Sequence, residues 1–124
     1  IPTLIRSCLH GERMKFVPDP VHDYIDIQDF IDALLVIKEK ASWKGEIYEI
    51  GSGVQTSNGD VRKLVESITG KKANLEYVDS LRPYDSNKWQ ADTGVLEHLG
   101  WRPKKSLFNS ISEMVKDYEQ RARK

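Results

Sequence analysis

Arg82 stands directly before Pro83 in a polar stretch running from Asp79 to Lys88. Proline holds the residue before it in extended conformations. A guanidinium presented from a stiff turn is suited to gripping a phosphate through two parallel N–H bonds. The competing reading is an ordinary surface arginine, solvated or ion-paired, and sequence physics alone favours it. A second candidate is Gly51-Ser52-Gly53, a Gly-x-Gly between strand-like and helix-like stretches. Backbone N–H groups in that setting can cradle a phosphate. The dinucleotide fingerprint needs another glycine three positions after the second, and Thr56 stands there instead. The triplet therefore reads as a tight turn leading into a helix cap.

Other chemistry is thinner. His10, His22 and His98 form no metal-ligand spacing with one another or with Cys8. No nucleophile and base stand in a recognisable constellation. Trp43, Trp89 and Trp101 do not cluster as a stacking platform for single strands would. Each lies beside a turn, where an indole usually covers the edge of a core. Lys+Arg and Asp+Glu are 19 each, so net charge gives no reason to expect a nucleic acid or an anionic membrane as partner. The single cysteine excludes an internal disulfide and favours an intracellular, cytoplasmic setting. The longest apolar run, Ala33 to Ile37, is far too short to span a bilayer, and no signal peptide is visible. The sequence starts at Ile1 rather than methionine, as a cut would leave it.

These residues need a scaffold, and 124 residues suffice for one domain with a modest core. Pro2 suits the first turn of a helix, Leu4, Ile5, Cys8 and Leu9 share one face, and Gly11 can close it. Met14 to Val17 and His22 to Ile25 read as short strands around a stiff Pro18-Asp19-Pro20 turn. Asp26 is a good cap for a helix whose Ile27, Phe30, Ile31, Leu34 and Leu35 recur with helical spacing. Glu46 to Ile50 alternates as a half-buried strand does. Ser57 caps a helix with Val61, Leu64, Val65 and Ile68 inward, ended by Gly70. Leu75 to Val78 reads as a strand. Asp92 or Thr93 caps a short helix with Val95, Leu96 and Leu99, and Ser106 caps the last one, with Leu107, Ile111, Met114, Val115 and Tyr118 inward. Leu99, Trp101 and Ile111 are expected in one core at the corner that Gly100 and Pro103 impose. The fold class is α/β: a small mixed domain of short strands and about five helices, without the βαβ rhythm of a complete doubly wound sheet.

Several segments, taken in order, resemble one family. Val21-His22-Asp23-Tyr24-Ile25-Asp26-Ile27-Gln28-Asp29 resembles the Arg-Asp-aromatic-Ile-x-Val-x-Asp stretch of extended short-chain dehydrogenases/reductases. Residues 45–53, Gly-Glu-Ile-Tyr-Glu-Ile-Gly-Ser-Gly, resemble their Gly-Glu-x-Tyr-Asn-Ile-Gly-x-Gly strand. Arg82-Pro83-Tyr84-Asp85 resembles their Arg-Pro-Gly-Asp loop. Ala91-Asp92-Thr93, followed by Leu99-Gly100-Trp101-Arg102-Pro103, resembles their Ala-Asp and Leu-Gly-Trp-x-Pro signature. Each motif alone is weak; four in order, over nearly the whole chain, are specific. The resemblance is to NAD-dependent nucleotide-sugar epimerases and dehydratases.

That resemblance implies the C-terminal portion of the extended fold, lacking the complete Rossmann sheet: residues 1–124 as a single substrate-binding domain, with the N-terminal NAD-binding domain absent. It implies that Arg82 holds the diphosphate of a nucleotide sugar and that His22, standing where the family commonly has an arginine, assists. Asp85 would accept hydrogen bonds from ribose or sugar hydroxyls or orient Arg82, while Phe16 and Val17 would line the base pocket. Tyr84 replaces the loop glycine, and Pro18-Asp19-Pro20 is shorter than the family's usual turn. The family's Tyr-x-x-x-Lys proton-transfer pair has no suitable counterpart: Tyr118 is followed at that spacing by Ala122, and Tyr84 with Lys88 falls in the substrate loop. The chain is thus expected to bind no cofactor itself and to carry no catalytic residue, with NAD implied for the full-length parent. Its expected partners are the nucleotide sugar, the missing Rossmann domain and a possible second copy. The rival reading is a stand-alone, non-enzymatic module that pairs with itself or a partner through the face a Rossmann domain normally covers.

Overall fold

The computed structural model describes residues 1–80, 83 and 88–123. Its larger core is built by three amphipathic helices, α1 (Pro2–His10), α3 (Asn58–Thr69) and α5 (Leu107–Ala122). Each begins and ends for a local reason. Pro2 opens α1, and Gly11, in the left-handed region at φ 73°, closes it with its N–H on Ser7 O. Ser57 Oγ accepts from Asp60 N at the start of α3, and Ser106 Oγ accepts from Asn109 N at the start of α5. The stripes expected from spacing meet: Leu4, Ile5 and Cys8 of α1, Val61 and Val65 of α3, and Ile111 and Val115 of α5 are buried together with Phe16.

Two small sheets flank this core. β1 (Met14–Phe16) runs parallel to β4 (Leu75–Tyr77), with Phe16 opposite Tyr77. β2 (Val21–Asp23) runs antiparallel to β3 (Gln55–Ser57), with His22 opposite Thr56 and Asp23 opposite Gln55. A second, smaller core gathers Ala33 of α2 (Ile27–Lys40), Leu96 of α4 (Gly94–His98) and Trp101, with Val36, Ile37, Tyr48, Ile50 and Leu99 packed against them. The five helices and short strands match the mixed α/β class read from the sequence.

Two expectations are corrected. Glu46 to Ile50 is no strand: among the described residues it has no ladder partner, and Ile47 is 85% exposed. Alternation marks a chain that can join a sheet, but a ladder needs a second chain. The strand in this region is β3, a few residues later, where β2 is available to pair. On α2, whose apolar spacing marked an amphipathic helix, Ile27, Ile31, Leu34 and Leu35 are all exposed and the helix fully buries just Asp29 and Ala33. Finally, Ile111 does not share a core with Leu99 and Trp101; it belongs to the larger cluster. The corner after Gly100 turns α5 away towards α1 and α3.

Candidate functional site

β2 separates two cavities because side chains alternate across a strand. On one side His22 joins Phe16, Val17, Thr3, Tyr24 and Asn58 around a cavity of about 250 Å³. Phe16 and Val17 are buried, at 3% and 5% exposure, and form its apolar wall. The His22 ring lies edge-on to Tyr24, with centroids 5.7 Å apart. Asn58, first residue of α3, donates its side-chain N–H to Val17 O (3.0 Å) and accepts from the Tyr24 hydroxyl (3.4 Å). Burial pushes the Tyr24 phenol up from its ordinary value. Val78 donates its N–H to Phe16 O (3.0 Å), so the stretch leading towards Arg82 leaves directly from this wall. An apolar pocket with a few fixed polar groups at its rim suits a planar ring carrying hydrogen-bonding edges.

On the other side Asp23 meets a larger cavity of about 470 Å³, bounded by Glu49, Gly51, Lys88, Trp89 and Ala91. Its carboxylate is fully engaged. Oδ1 accepts from Ser52 N (2.7 Å) and Ser52 Oγ (2.6 Å), while Oδ2 accepts from Gly53 N (2.9 Å) and Ala91 N (3.0 Å). Burial pushes this carboxyl up, but the four hydrogen bonds outweigh it and hold it below its ordinary value. Gly51 is required by this approach: a Cβ there would stand 2.5 Å from Ala91 Cβ and 2.8 Å from Asp23 Oδ2.

Of the residues expected from sequence, His22, Phe16 and Val17 thus line one cavity. Arg82 and Asp85, like Tyr84, fall outside the described residues. Sequence reading missed Asp23 and Asp29, although both belong to the quoted Val21–Asp29 motif. Asp29, buried at 3% exposure, accepts from Lys104 N and Lys105 N through Oδ2, and its backbone oxygen accepts from Trp101 Nε1. The acid pairs therefore join motifs far apart in sequence: Asp23 holds Ser52, Gly53 and Ala91, and Asp29 holds the turn after Trp101. A usable signal was present: short acids in a motif are natural acceptors for glycine-rich and proline-containing turns whose N–H groups lack strand partners.

No family model matches the chain. It is 30% identical over 121 residues to the low-salt glycan biosynthesis protein Agl12 of Haloferax volcanii, covering 95% of this chain and 38% of that protein. A UDP-glucose 4-epimerase of Thermotoga maritima, solved with UDP-glucose, superposes with a TM-score of 0.80 at 28% identity, over 98% of this chain and 39% of that one. MoeE5, solved with UDP-glucuronic acid and NAD, superposes with a TM-score of 0.85 over 96% of this chain and 40% of that one; at 22% identity it shows the shared fold. The chain's relatives and solved neighbours are NAD-dependent nucleotide-sugar epimerases and dehydratases, among them GDP-L-fucose synthases and dTDP-D-glucose 4,6-dehydratases. It matches a C-terminal portion of this epimerase/dehydratase family and spans about two fifths of the length of these relatives.

Several solved neighbours hold NAD, but the Gly51–Gly53 turn of this chain does not fit a dinucleotide phosphate. The N–H groups of Ser52 and Gly53, which would face such an anion, already face the carboxylate of Asp23. The described residues hold no group of His, Cys, Asp or Glu arranged for a metal ion, and no helix among them is long and apolar enough to cross a membrane.

Proposed function

We propose that the chain is the nucleotide-sugar-binding part of an NAD-dependent sugar epimerase or dehydratase, an isomerase or lyase of carbohydrate metabolism in the cytoplasm. The base sits against Phe16 and Val17. Arg82 grips the diphosphate with help from His22, and Asp85 takes hydroxyls of the ribose or the sugar or steadies Arg82. Hydride transfer and the NAD that performs it belong to the other half of the parent enzyme, and this chain alone is inactive. The observation that carries the reading is the convergence of Phe16, Val17 and His22 on one cavity, from whose wall the chain runs on towards Arg82. Pro83 favours presentation of Arg82 from an extended backbone. A histidine at position 22 lacks the forked donors of a guanidinium, which leaves more of the diphosphate to Arg82.

The test is titration of UDP-, GDP- and dTDP-sugars into the intact protein and two variants at fixed salt. Arg82→Ala is expected to weaken binding by about 2–4 kcal/mol, the range for a truncated charge-assisted pair. Arg82→Lys should recover part of it, since a point charge cannot bind bidentately. Equal affinities for all three proteins return Arg82 to the ordinary surface arginines.

The exposed stripe of α2 favours a second reading as well. In the first, Ile31, Leu34 and Leu35 are covered by the nucleotide-binding half. In the second, they make this chain a non-enzymatic module that pairs with itself. Self-association without nucleotide-sugar binding would select the second.

A further inference from the structure

We propose that His22 makes nucleotide-sugar binding proton-linked: its imidazole takes up a proton as the diphosphate arrives, so affinity rises as pH falls from about 8 to about 6. The inference rests on the reading of the Phe16 cavity as the nucleotide-sugar site, and it concerns the charge of that cavity. His22 lines it beside Thr3, Lys15, Tyr24 and Asn58. Two of the neutral polar groups there are occupied with one another. The Tyr24 hydroxyl donates to the Asn58 side-chain oxygen, and the Asn58 amide donates to Val17 O. His22 is not so engaged. Among the described residues its ring makes no hydrogen bond or ion pair, and its one ring contact is the edge-on approach to Tyr24. Both ring nitrogens are donors once the ring is protonated, and both are open to an anion.

The groups that face His22 decide whether its proton can respond. Across the ladder on β3 stands Thr56, and from α3 comes Asn58, both neutral. From β1 comes Lys15, whose register neighbour Glu76 is paired with Arg13. From α1 comes the amino group of Ile1, which burial lowers. On β2 itself, burial pushes the Tyr24 phenol up, away from this range, and Asp23 is turned to the other face, where it holds Ser52, Gly53 and Ala91. Asp19, in the turn between β1 and β2, does not line the cavity, and neither does any other carboxylate among the described residues. A charged imidazole at position 22 therefore meets its anionic partner when a phosphate enters. A diphosphate esterified at both ends keeps its negative charges through this range and brings no titrating proton of its own. An adjacent anion favours the charged ring. The coupling is reciprocal: the factor by which phosphate favours the proton is the factor by which the proton favours phosphate. The gain is complete where the free ring is already charged. It is lost as pH rises past the point at which the occupied ring gives up its proton.

The experiment is calorimetric titration of UDP-, GDP- and dTDP-glucose into the protein at fixed ionic strength between about pH 6 and about pH 8, in buffers of different ionisation heat. Intact nucleotide sugars are used because the terminal phosphate of a free nucleoside diphosphate titrates in the same range. Affinity is expected to rise roughly five- to tenfold towards the acid end, the difference between a charged and a neutral donor, with proton uptake approaching one per ligand. The ring signals of His22 should shift their titration midpoint upward on saturation, while those of His10 and His98, which lie outside the cavity, stay in place. His22→Gln should flatten the profile at the weaker level and His22→Arg at the tighter one, with melts confirming that each is folded. If neither variant folds, the ring titration of the wild-type protein decides alone. A flat wild-type profile, an unmoved His22 midpoint, or a slope that survives in His22→Gln overturns the proton link and leaves the proposed function standing. A protein that binds none of the three sugars at any pH overturns the proposed function itself, and the link with it.

Discussion

α2 and α5 carry the same kind of sequence signal and have opposite fates. On α5, Ile111 and Val115 recur with helical spacing and are buried against α1 and α3. On α2, Ile27, Ile31, Leu34 and Leu35 recur with the same spacing and stay exposed. An amphipathic stripe states that a helix has an apolar face; it does not state what covers that face. For α5 the cover lies within these residues. For α2 the chain supplies cover on one side alone, where Ala33, Val36 and Ile37 meet Trp101. The neighbouring stretch at 46–50 repeats the lesson in strand form: its alternation is intact, its partner strand is not among the described residues, and Ile47 stands in the open. Both unmatched signals fall in the same part of the molecule, which spans about two fifths of its relatives.

The sharpest way to break the comparison is at the seam that attaches α2 to the rest. Trp101 is 4% exposed, packs on Ala33 and Leu96, and donates its indole N–H to Asp29 O at 3.2 Å. Trp101→Ala removes this plug and is expected to cost about 3–5 kcal/mol in denaturant melts. A loss below about 1 kcal/mol would mean that α2 and the turn after α4 are held by something else. In that case the smaller core would not be a cooperative part of the fold.

The cap residues Asp26, Ser57 and Ser106, the closing glycines and the stripes of α1, α3 and α5 were legible in sequence because they depend on neighbours within a turn or two. β3 was not: Gln55-Thr56-Ser57 has no apolar alternation and exists because β2 lies alongside. The stripe of α2 and the segment at 46–50 were legible as patterns, but the segment at 46–50 was misread as a half-buried strand, since burial is set by what lies across the gap. At the site, Phe16, Val17 and His22 were found through a family resemblance rather than by chemistry of their own. Asp23 and Asp29 went unread because a single acid says nothing about which distant N–H groups it will meet. Two or three such groups converge on each, and that is a property of the folded chain alone.

Acid should sharpen the contrast between the two cores more gently than Trp101→Ala. Four carboxyls among the described residues are held below their ordinary values; at the exposed Glu46 the leading cause is the Ser42 hydroxyl. For Asp26 the leading cause is the Ser110 hydroxyl, with Gln28 N and Lys105 adding to it against some desolvation. For Asp23 and Glu66 burial pushes upward, and hydrogen bonds, with Lys72 and Arg62 beside Glu66, more than reverse it. A carboxyl depressed in the folded state binds fewer protons there than when unfolded. Its contribution is complete above the unfolded value, near about 4, and is lost as pH falls through the folded value. Urea midpoints should therefore hold from pH 7 to about 5 and fall below about 4. Asp26→Asn, at the start of α2, should flatten part of that fall. A midpoint that stays constant down to about pH 2.5 would contradict the depressed values.

The smallest expected effect tests the exposed face directly. Leu34 and Leu35 sit on the outer face of α2 at 46% and 57% exposure. Replacing either by Gln keeps a good helix former and exposes no buried cavity, so each should change the stability of the chain by no more than about 0.5 kcal/mol. Ile111→Ala, on the helix whose stripe is covered, should cost about 2–5 kcal/mol under the same conditions. A loss of 2 kcal/mol or more from Leu34→Gln would show that the chain itself buries this face, and the difference between the helices would vanish. The same variants separate the two functional readings. If the chain pairs with itself through α2, Leu34→Gln with Leu35→Gln should shift sedimentation towards monomer without changing the melt. If the face instead receives the nucleotide-binding half, sedimentation of the chain alone should not change, and the double variant should lose affinity for that half. Both outcomes require the stripe to be spare in the isolated chain, which is what sets α2 apart from α5.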